Sequence, residues 1–319
     1  MESLVRAVAL LEREDGFILS THLHPDGDGI GSMLALGGAL RARGKRVAMV
    51  QSDGVPGTYS FLAGAADVMP ALPDGFAPAL LVALDCGDRE RIALSGMDAG
   101  LPILNIDHHI SNDLYGLINL VDGEASATGE IVHRILTAGG YHLDRGIGTA
   151  LYVAIATDTG FFRYANTSTA AFLLSARLVE EFGLEPGKIA EIVHEQKSLN
   201  AVKLLGVVLS TLKLSGSVAW MYLNREMLAA YPVEMEEIEG YINYARSIIG
   251  VEIALFFKEV REGEVRISWR SGPNADVSLL ASHFGGGGHA RAAGCTVSGN
   301  LASVVDKVLS YLARWQEGR

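Results

Sequence analysis

Two cysteines, Cys86 and Cys295, in a chain of 319 residues make neither a disulfide framework nor a zinc pattern. They lie far apart and read as small buried side chains. No apolar run approaches the ~20 residues that a membrane span needs, and the segment Met1-Glu2-Ser3-Leu4-Val5-Arg6 does not resemble a secretory signal. The reading is a soluble, cytoplasmic chain without a membrane partner. Positive charge is scarce: 26 Lys and Arg stand against 37 Asp and Glu, a net charge of -11. Coating long duplex DNA or RNA depends on many Lys and Arg contacts to phosphate, so that role is excluded. A small anionic substrate held by a few local cations and metal ions is compatible with the balance. No internal repeat, low-complexity tract or disordered tail stands out.

What the chain has is apolar residues, 49% of the total, enough for two cores, and the length suits two domains of ~150 residues. Leu4, Val5, Val8 and Leu11 give an amphipathic helix over 3–14. Phe17 to Ser20 reads as a buried strand, 30–43 as a helix, and Arg46 to Val50 as a second strand. Ala79 to Leu84 is a continuous apolar run, as expected of a parallel strand covered on both faces, and Ile103 to Ile106 is a shorter one. Helices follow over 127–138, closed by Gly139-Gly140, and over 147–157, with Asp144 as its cap. Thr167 or Ser168 caps a further helix that Gly183 ends.

These patterns predict an α/β fold. Residues 1–190 form a mostly parallel sheet with helices on both faces, 191–214 a helical connector, and 215–319 a smaller mixed-sheet α/β domain. In the last part, 218–223, 251–260 and 265–269 read as strands, and 236–249, 276–284 and 302–316 as helices.

The chemistry sits where strands end. The first strand runs into His22-Leu23-His24-Pro25-Asp26-Gly27-Asp28-Gly29-Ile30-Gly31-Ser32, a strand-to-helix turn of the kind that holds ligands in open α/β sheets. Asp26 and Asp28 could be turn formers, and Gly27, Gly29 and Gly31 could let the backbone bend so that His22, Asp26 and Asp28 converge. Other segments tip the balance toward a metal. The third strand ends at Asp85, the fourth at Asp107-His108-His109, and the helix over 147–157 runs into Asp158. Four carboxylates within ~5 Å would repel by roughly 3 kcal/mol per pair at an effective dielectric of ~20, so either several take up protons or cations neutralise them. Two ions fit best, with Asp85 as the bridge, His22 and Asp26 completing one shell, and Asp28, His108 and Asp158 the other. Oxygen and imidazole ligands without thiolate favour manganese, with magnesium, iron, cobalt or zinc as alternatives.

Taken together, these segments resemble the DHH phosphoesterase superfamily, whose triplet is here Asp107-His108-His109. Thr157-Asp158-Thr159-Gly160 resembles its last metal motif, and the run Gly285 to His289, continued by Ala290-Arg291-Ala292-Ala293-Gly294, resembles its associated C-terminal domain. The likeness covers nearly the whole chain. Its two-domain layout resembles the members that degrade short oligoribonucleotides to mononucleotides and dephosphorylate 3'-phosphoadenosine 5'-phosphate. It implies the same ligands, His22, Asp26, Asp28, Asp85, His108 and Asp158. His24 falls where the family varies, and His109 reads as supporting a ligand or facing phosphate rather than binding metal. Asp85, His108, His109 and Arg163 are the candidate catalytic residues.

Arg270, Ser271, Gly286, Gly287, Gly288, His289 and Arg291 are candidate substrate contacts, the glycines bringing backbone N–H groups to a phosphate and the arginines gripping it bidentately. A substrate spanning metal centre and grip would be short, which disfavours long folded RNA. Phe161, Phe162 and Tyr164 fit a core better than a base-stacking platform, and Asn166 and Thr167 fit a helix cap. The alternatives are a cyclic- or linear-dinucleotide phosphodiesterase, an exopolyphosphatase, and a non-catalytic nucleotide- or RNA-binding module. A homodimer is compatible with all of them.

Overall fold

A computed structural model describes residues 2–94 and 100–317 of the chain. It divides into two compact units, 1–196 and 197–319. In chain order the first unit contains α1 (Glu2–Arg13), β1 (Phe17–Ser20), α2 (Gly27–Ala42), β2 (Val47–Met49), β3 (Leu80–Leu84), β4 (Ile103–Asp107), β5 (Ile118–Val121), α3 (Thr128–Ala138), α4 (Arg145–Asp158), α5 (Thr169–Phe182) and α6 (Pro186–His194).

Its five strands are all parallel, in the order β2-β1-β3-β4-β5. The order reverses between β1 and β3. A crevice therefore opens at their carboxyl ends, the place where such sheets put their ligands. His22 and Asp85 lie just beyond those two ends. Strand alternation separates two cores: Phe17, Leu19, Leu80, Val82, Leu84, Leu104 and Ile106 face the long helices. Ile18, Ala48, Leu81, Ala83 and Ile103 face the other way, where the segments carrying Met69, Leu72, Phe76, Ile92 and Tyr115 cover them.

The opening motif corrects one expectation. Asp26 is the N-cap of α2 and accepts from the N–H groups of Asp28 and Gly29, so Gly27, Gly29 and Gly31 lie inside the helix and make no bend. Their role is proximity. A Cβ on Gly31 would sit 2.4 Å from the Ala150 carbonyl oxygen, and one on Gly29 would sit 2.3 Å from Thr21 Oγ1. Only a bare backbone lets α2 lie this close to α4 and β1.

The second unit contains α7 (Leu199–Leu209), β6 (Lys213–Ser215), β7 (Val218–Leu223), α8 (Arg225–Ala230), α9 (Ile242–Arg246), β8 (Ile253–Arg261), β9 (Glu264–Ser271), α10 (Val277–Ser282), β10 (Gly287–His289), β11 (Ala292–Ser298) and α11 (Leu301–Glu317). Its sheet runs β10-β11-β9-β8-β7-β6, with β7 and β8 parallel and the other pairs antiparallel. Ile253, Leu255 and Phe257 pack on one face of β8 with Val304, Val308 and Leu312 of α11, while Ala254 and Phe256 meet Leu204 and Val208 of α7 on the other.

The expected connector is thereby divided. α6 belongs to the first unit, and α7 is part of the second unit's core. The helix expected over 236–249 is a 3-10 stretch, Met235–Tyr241, followed by the short α9. Both cysteines are buried and unpaired, as expected. Among the described residues, no helix is long and apolar enough to cross a membrane.

Candidate metal centre

Four segments of the first unit deliver candidate ligands to the crevice. Asp85 is central. It follows β3 with φ of +54°, a left-handed conformation that Asp tolerates better than most residues, and it is 3% exposed. Its Oδ2 lies 3.7 Å from His22 Nε2, and its Oδ1 lies 3.6 Å from His108 Nε2. His22 Nε2 is also 3.9 Å from Asp26 Oδ1, while His108 Nε2 is 3.9 Å from Asp28 Oδ2 and 3.6 Å from Asp158 Oδ2. Two groups, His22-Asp26-Asp85 and Asp28-His108-Asp158, each have donor atoms within 4.8 Å of one another and could each hold an ion. Asp85, His108 and His109 form a third such group, overlapping the others.

The surroundings aim these atoms. His22 Nδ1 donates to the Leu23 carbonyl and His108 Nδ1 to the Ala125 carbonyl, which aims each Nε2 at the carboxylates, as a metal-ligating imidazole requires. Asp28 lies at the N-terminus of α3, where its Oδ2 accepts from Thr128 N at 2.6 Å and its Oδ1 from Gly129 N at 2.9 Å. Ser32 Oγ donates to the same Oδ1 at 3.0 Å. The α3 dipole favours a negative charge at that point. Thr128 Oγ1 donates to Asp85 Oδ1 at 3.1 Å.

The charges do not balance within the protein. Burial, reinforced by the charges of Asp85, Asp158 and Asp26, pushes the Asp28 carboxyl well above the usual range. Burial also lifts Asp158 to about 7, with Asp26 and Asp85 adding to it and the histidines opposing. Asp85 moves the other way: burial would raise it, but His22, His109 and His108 together hold it low. Burial and the neighbouring carboxylates push both Asp28, which is buried, and Asp158, which is half-buried, toward the protonated form, and divalent ions would relieve that repulsion. The donor set fits the group.

His109 stands apart. Its Nδ1 is 2.6 Å from Asp107 Oδ1, and Asp107, fully buried, also takes the amide of Asn112 at 2.6 Å. Burial lowers the His109 pKa, but Asp107 and Asp85 outweigh burial and raise it to about 9. His24 turns away, with its Nδ1 3.3 Å from Asp53. Arg163 is exposed and donates through Nε to the Gly160 carbonyl at 2.7 Å. Phe162 stacks on Phe172, and Phe161 meets the His194 ring edge-on, so both are packing residues.

In the second unit Ser271 is fully buried, its hydroxyl donating to the Ala275 and Ala290 carbonyls, so it braces the chain and cannot touch a substrate. Gly286 and Gly288 serve close packing, since a Cβ would sit 2.1 Å from the Gly294 oxygen and 2.5 Å from the Ala292 oxygen respectively. With Gly287 they lead into the edge strand β10 instead of a separate anion loop. Arg291 donates to the carbonyls of Gly272, Pro273 and Ala275. Arg270 lies in β9, half-buried, with Nη1 on the Trp269 carbonyl. His289 is in β10, and its side chain lies outside the described residues.

Residues 17–155 match the DHH family, N-terminal domain, and residues 215–317 match the DHHA1 domain. The bifunctional oligoribonuclease and PAP phosphatase NrnA of Thermus thermophilus is 32% identical over 93% of this chain and 89% of its own length. The chain belongs to the DHH family. The NrnA of Bacillus subtilis, bearing the same name, is 27% identical over 92% of this chain and 92% of its own. A crystal structure of an exopolyphosphatase-related protein from Bacteroides fragilis is 26% identical, with a TM-score of 0.89 over 97% of this chain and 95% of that one. Like the family, this DHH protein is a metal-dependent phosphoesterase, and divalent ions are its cofactors.

Sequence reasoning missed the DHH protein's supporting residues, Asp107, Asn112, Thr128 and Asn166. Asp107 had a signal, since it opens the triplet. Thr128 and Asn166 had none, because their partners are far away in the chain.

Proposed function

We propose that this enzyme hydrolyses short oligoribonucleotides to mononucleotides and removes a phosphate from 3'-phosphoadenosine 5'-phosphate, using two manganese ions in the cytoplasm. The observation that carries the reading is the carboxylate of Asp85, whose two oxygens face the two ligand groups at 3.7 and 3.6 Å. The names of the Thermus and Bacillus relatives support the substrate class. The donors, oxygen and imidazole without thiolate, support manganese. The buried, unpaired cysteines fit a reducing compartment.

In this reading His22, Asp26 and Asp85 hold one ion, and Asp28, His108, Asp158 and Asp85 the other. The chemistry that ions held there would supply is a water made nucleophilic near neutral pH and neutralisation of the charge that develops on phosphate. The protein's own part is to place and charge its donors. Asp107 keeps His109 protonated at neutral pH, so that the ring donates to a phosphate oxygen in the transition state. The exposed Arg163, five residues after Asp158, and Arg270, in β9 of the second unit, are the cations assigned to substrate phosphate. Arg291 already spends several N–H groups on carbonyls.

The test is a panel with manganese: a dinucleotide, a long structured RNA, 3'-phosphoadenosine 5'-phosphate, a cyclic dinucleotide and polyphosphate. Mononucleotide release from the dinucleotide, well ahead of the structured RNA, and phosphate release from the adenosine bisphosphate are expected. Faster turnover of polyphosphate, the reading favoured by the Bacteroides neighbour, would reassign the enzyme. Inactivity on every substrate would leave a binding module.

A further inference from the structure

We propose that Asn166 is a positioning residue whose side-chain amide fixes Asp158 to the segment that holds the other groups around the second ion. The inference rests on the reading of Asp158 as a metal ligand. Asp158 is the last residue of α4, at a helix C-terminus, where the dipole disfavours a carboxylate. The backbone beyond it is left-handed at Gly160, Phe161 and Phe162, with φ of 58°, 55° and 64°, a course bulky residues rarely take. Local structure therefore does not favour a carboxylate here, and something outside α4 must hold it.

Asn166 supplies that hold. Its Nδ2 lies 3.1 Å from Asp158 Oδ2, 3.2 Å from the Asp158 carbonyl and 3.1 Å from the Ser126 carbonyl. Ser126 returns a 2.6 Å hydrogen bond from its Oγ to the Asn166 carbonyl, closing a two-way clasp. Ser126 belongs to residues 125–129, which hold the remaining groups. The Ala125 carbonyl orients His108, Thr128 N and Gly129 N hold Asp28, and Thr128 Oγ1 holds Asp85. Asn166 is the link that ties Asp158 to this reference.

The oxygen it touches, Oδ2, is also the one 3.6 Å from His108 Nε2. A carboxylate oxygen has two lone pairs, so the amide can take one and leave the other for an ion. The sequence reading offered Asn166, Thr167 and Ser168 as helix caps. The structure gives that task to Ser168, whose side chain accepts from Ala171 N. Asn166 is exposed, so replacing it leaves the core intact.

The experiment is manganese titration calorimetry on the full chain as wild type, Asn166→Ala, Asp158→Ala and the double variant. Asn166→Ala is expected to weaken one ion by about 10- to 100-fold and leave the other unchanged. Its metal-free melting temperature should stay within about 2 °C of wild type, and saturating manganese should restore turnover. In the Asp158→Ala background the same substitution should change nothing. Wild-type affinity in Asn166→Ala, or an equal loss with Asp158 already removed, overturns the proposal while leaving the metal reading standing. A wild type that takes up no manganese overturns both.

Discussion

Asp85→Asn isolates the charge of the shared carboxylate from its shape. Asn is isosteric and tolerates the φ of +54° that Asp85 adopts, so the turn after β3 survives. The lost charge faces His22 at 3.7 Å and both His108 and His109 at 3.6 Å, and it would face both ions. At an effective dielectric of ~20, one unit charge at such a distance is worth about 4 to 5 kcal/mol per opposite charge. About 4 kcal/mol corresponds to roughly a thousandfold in an equilibrium constant, so manganese affinity and dinucleotide turnover should each fall by at least about that factor. Metal-free stability should fall as well, because at Asp85 the attraction of the histidines outweighs burial and the neighbouring carboxylates, so the loss of affinity is read against the melting of the same variant. Titration calorimetry gives the stoichiometry, release of mononucleotide gives the turnover, and metal-free melting checks the fold. A variant that binds two ions with unchanged affinity and keeps turnover within tenfold would refute the bridging role.

Metal loading should release protons from His22, which Asp26 and Asp85 hold up at about 11 against the effect of burial, from Asp28, which burial and the neighbouring carboxylates push well above the usual range, and below pH 7 from Asp158. Apparent affinity therefore rises with pH, and a pH-independent affinity between 6 and 9 contradicts this. Gly31→Ala places a Cβ 2.4 Å from a backbone carbonyl of α4 and should cost about 1 to 3 kcal/mol in urea unfolding, with weaker manganese binding because Asp28 shifts with α2. Lys258, 6% exposed in β8, is pushed down to about 8, mainly by burial. Between that value and the unfolded 10.5 the unfolded chain binds more protons, so stability climbs with pH across this window, and Lys258→Met should flatten the climb in unfolding curves at pH 7 and 10. Arg291→Ala, losing bonds to the Gly272, Pro273 and Ala275 carbonyls, should lower stability by about 1 to 2 kcal/mol. Turnover at a permissive temperature should change little, and a large rise in KM with no loss of stability would return Arg291 to the substrate.

The candidate ligand set was legible because most of its members follow a local signal. His22, Asp85 and His108 come directly after apolar runs of strand length, and a parallel sheet gathers strand ends at one edge whatever the intervening loops contain. Asp26 and Asp28 ride on the helix that the first strand feeds. The short strands β5, β6 and β10 carried too few residues for a period-2 signal, and β11 reads Ala-Ala-Gly-Cys, a weak strand former that exists because β9 pairs along its whole length. The glycines of the opening motif and of 285–288 were visible as glycines. What they permit, the approach of α4 to α2 and of β11 to the glycine run, depends on partners more than 100 residues away in the first case and close by in the second. The supports of the metal centre were hidden for a more general reason. A ligand must be one of a few residue types, so chemistry marks it in the sequence, whereas a support need only place a donor. Asp28 is held by the backbone N–H groups of Thr128 and Gly129, which every residue but proline could supply, and Asp158 by an amide whose identity has meaning only beside Ser126. The sequence therefore names the atoms that would touch the ions, and the fold alone decides which atoms hold those in place.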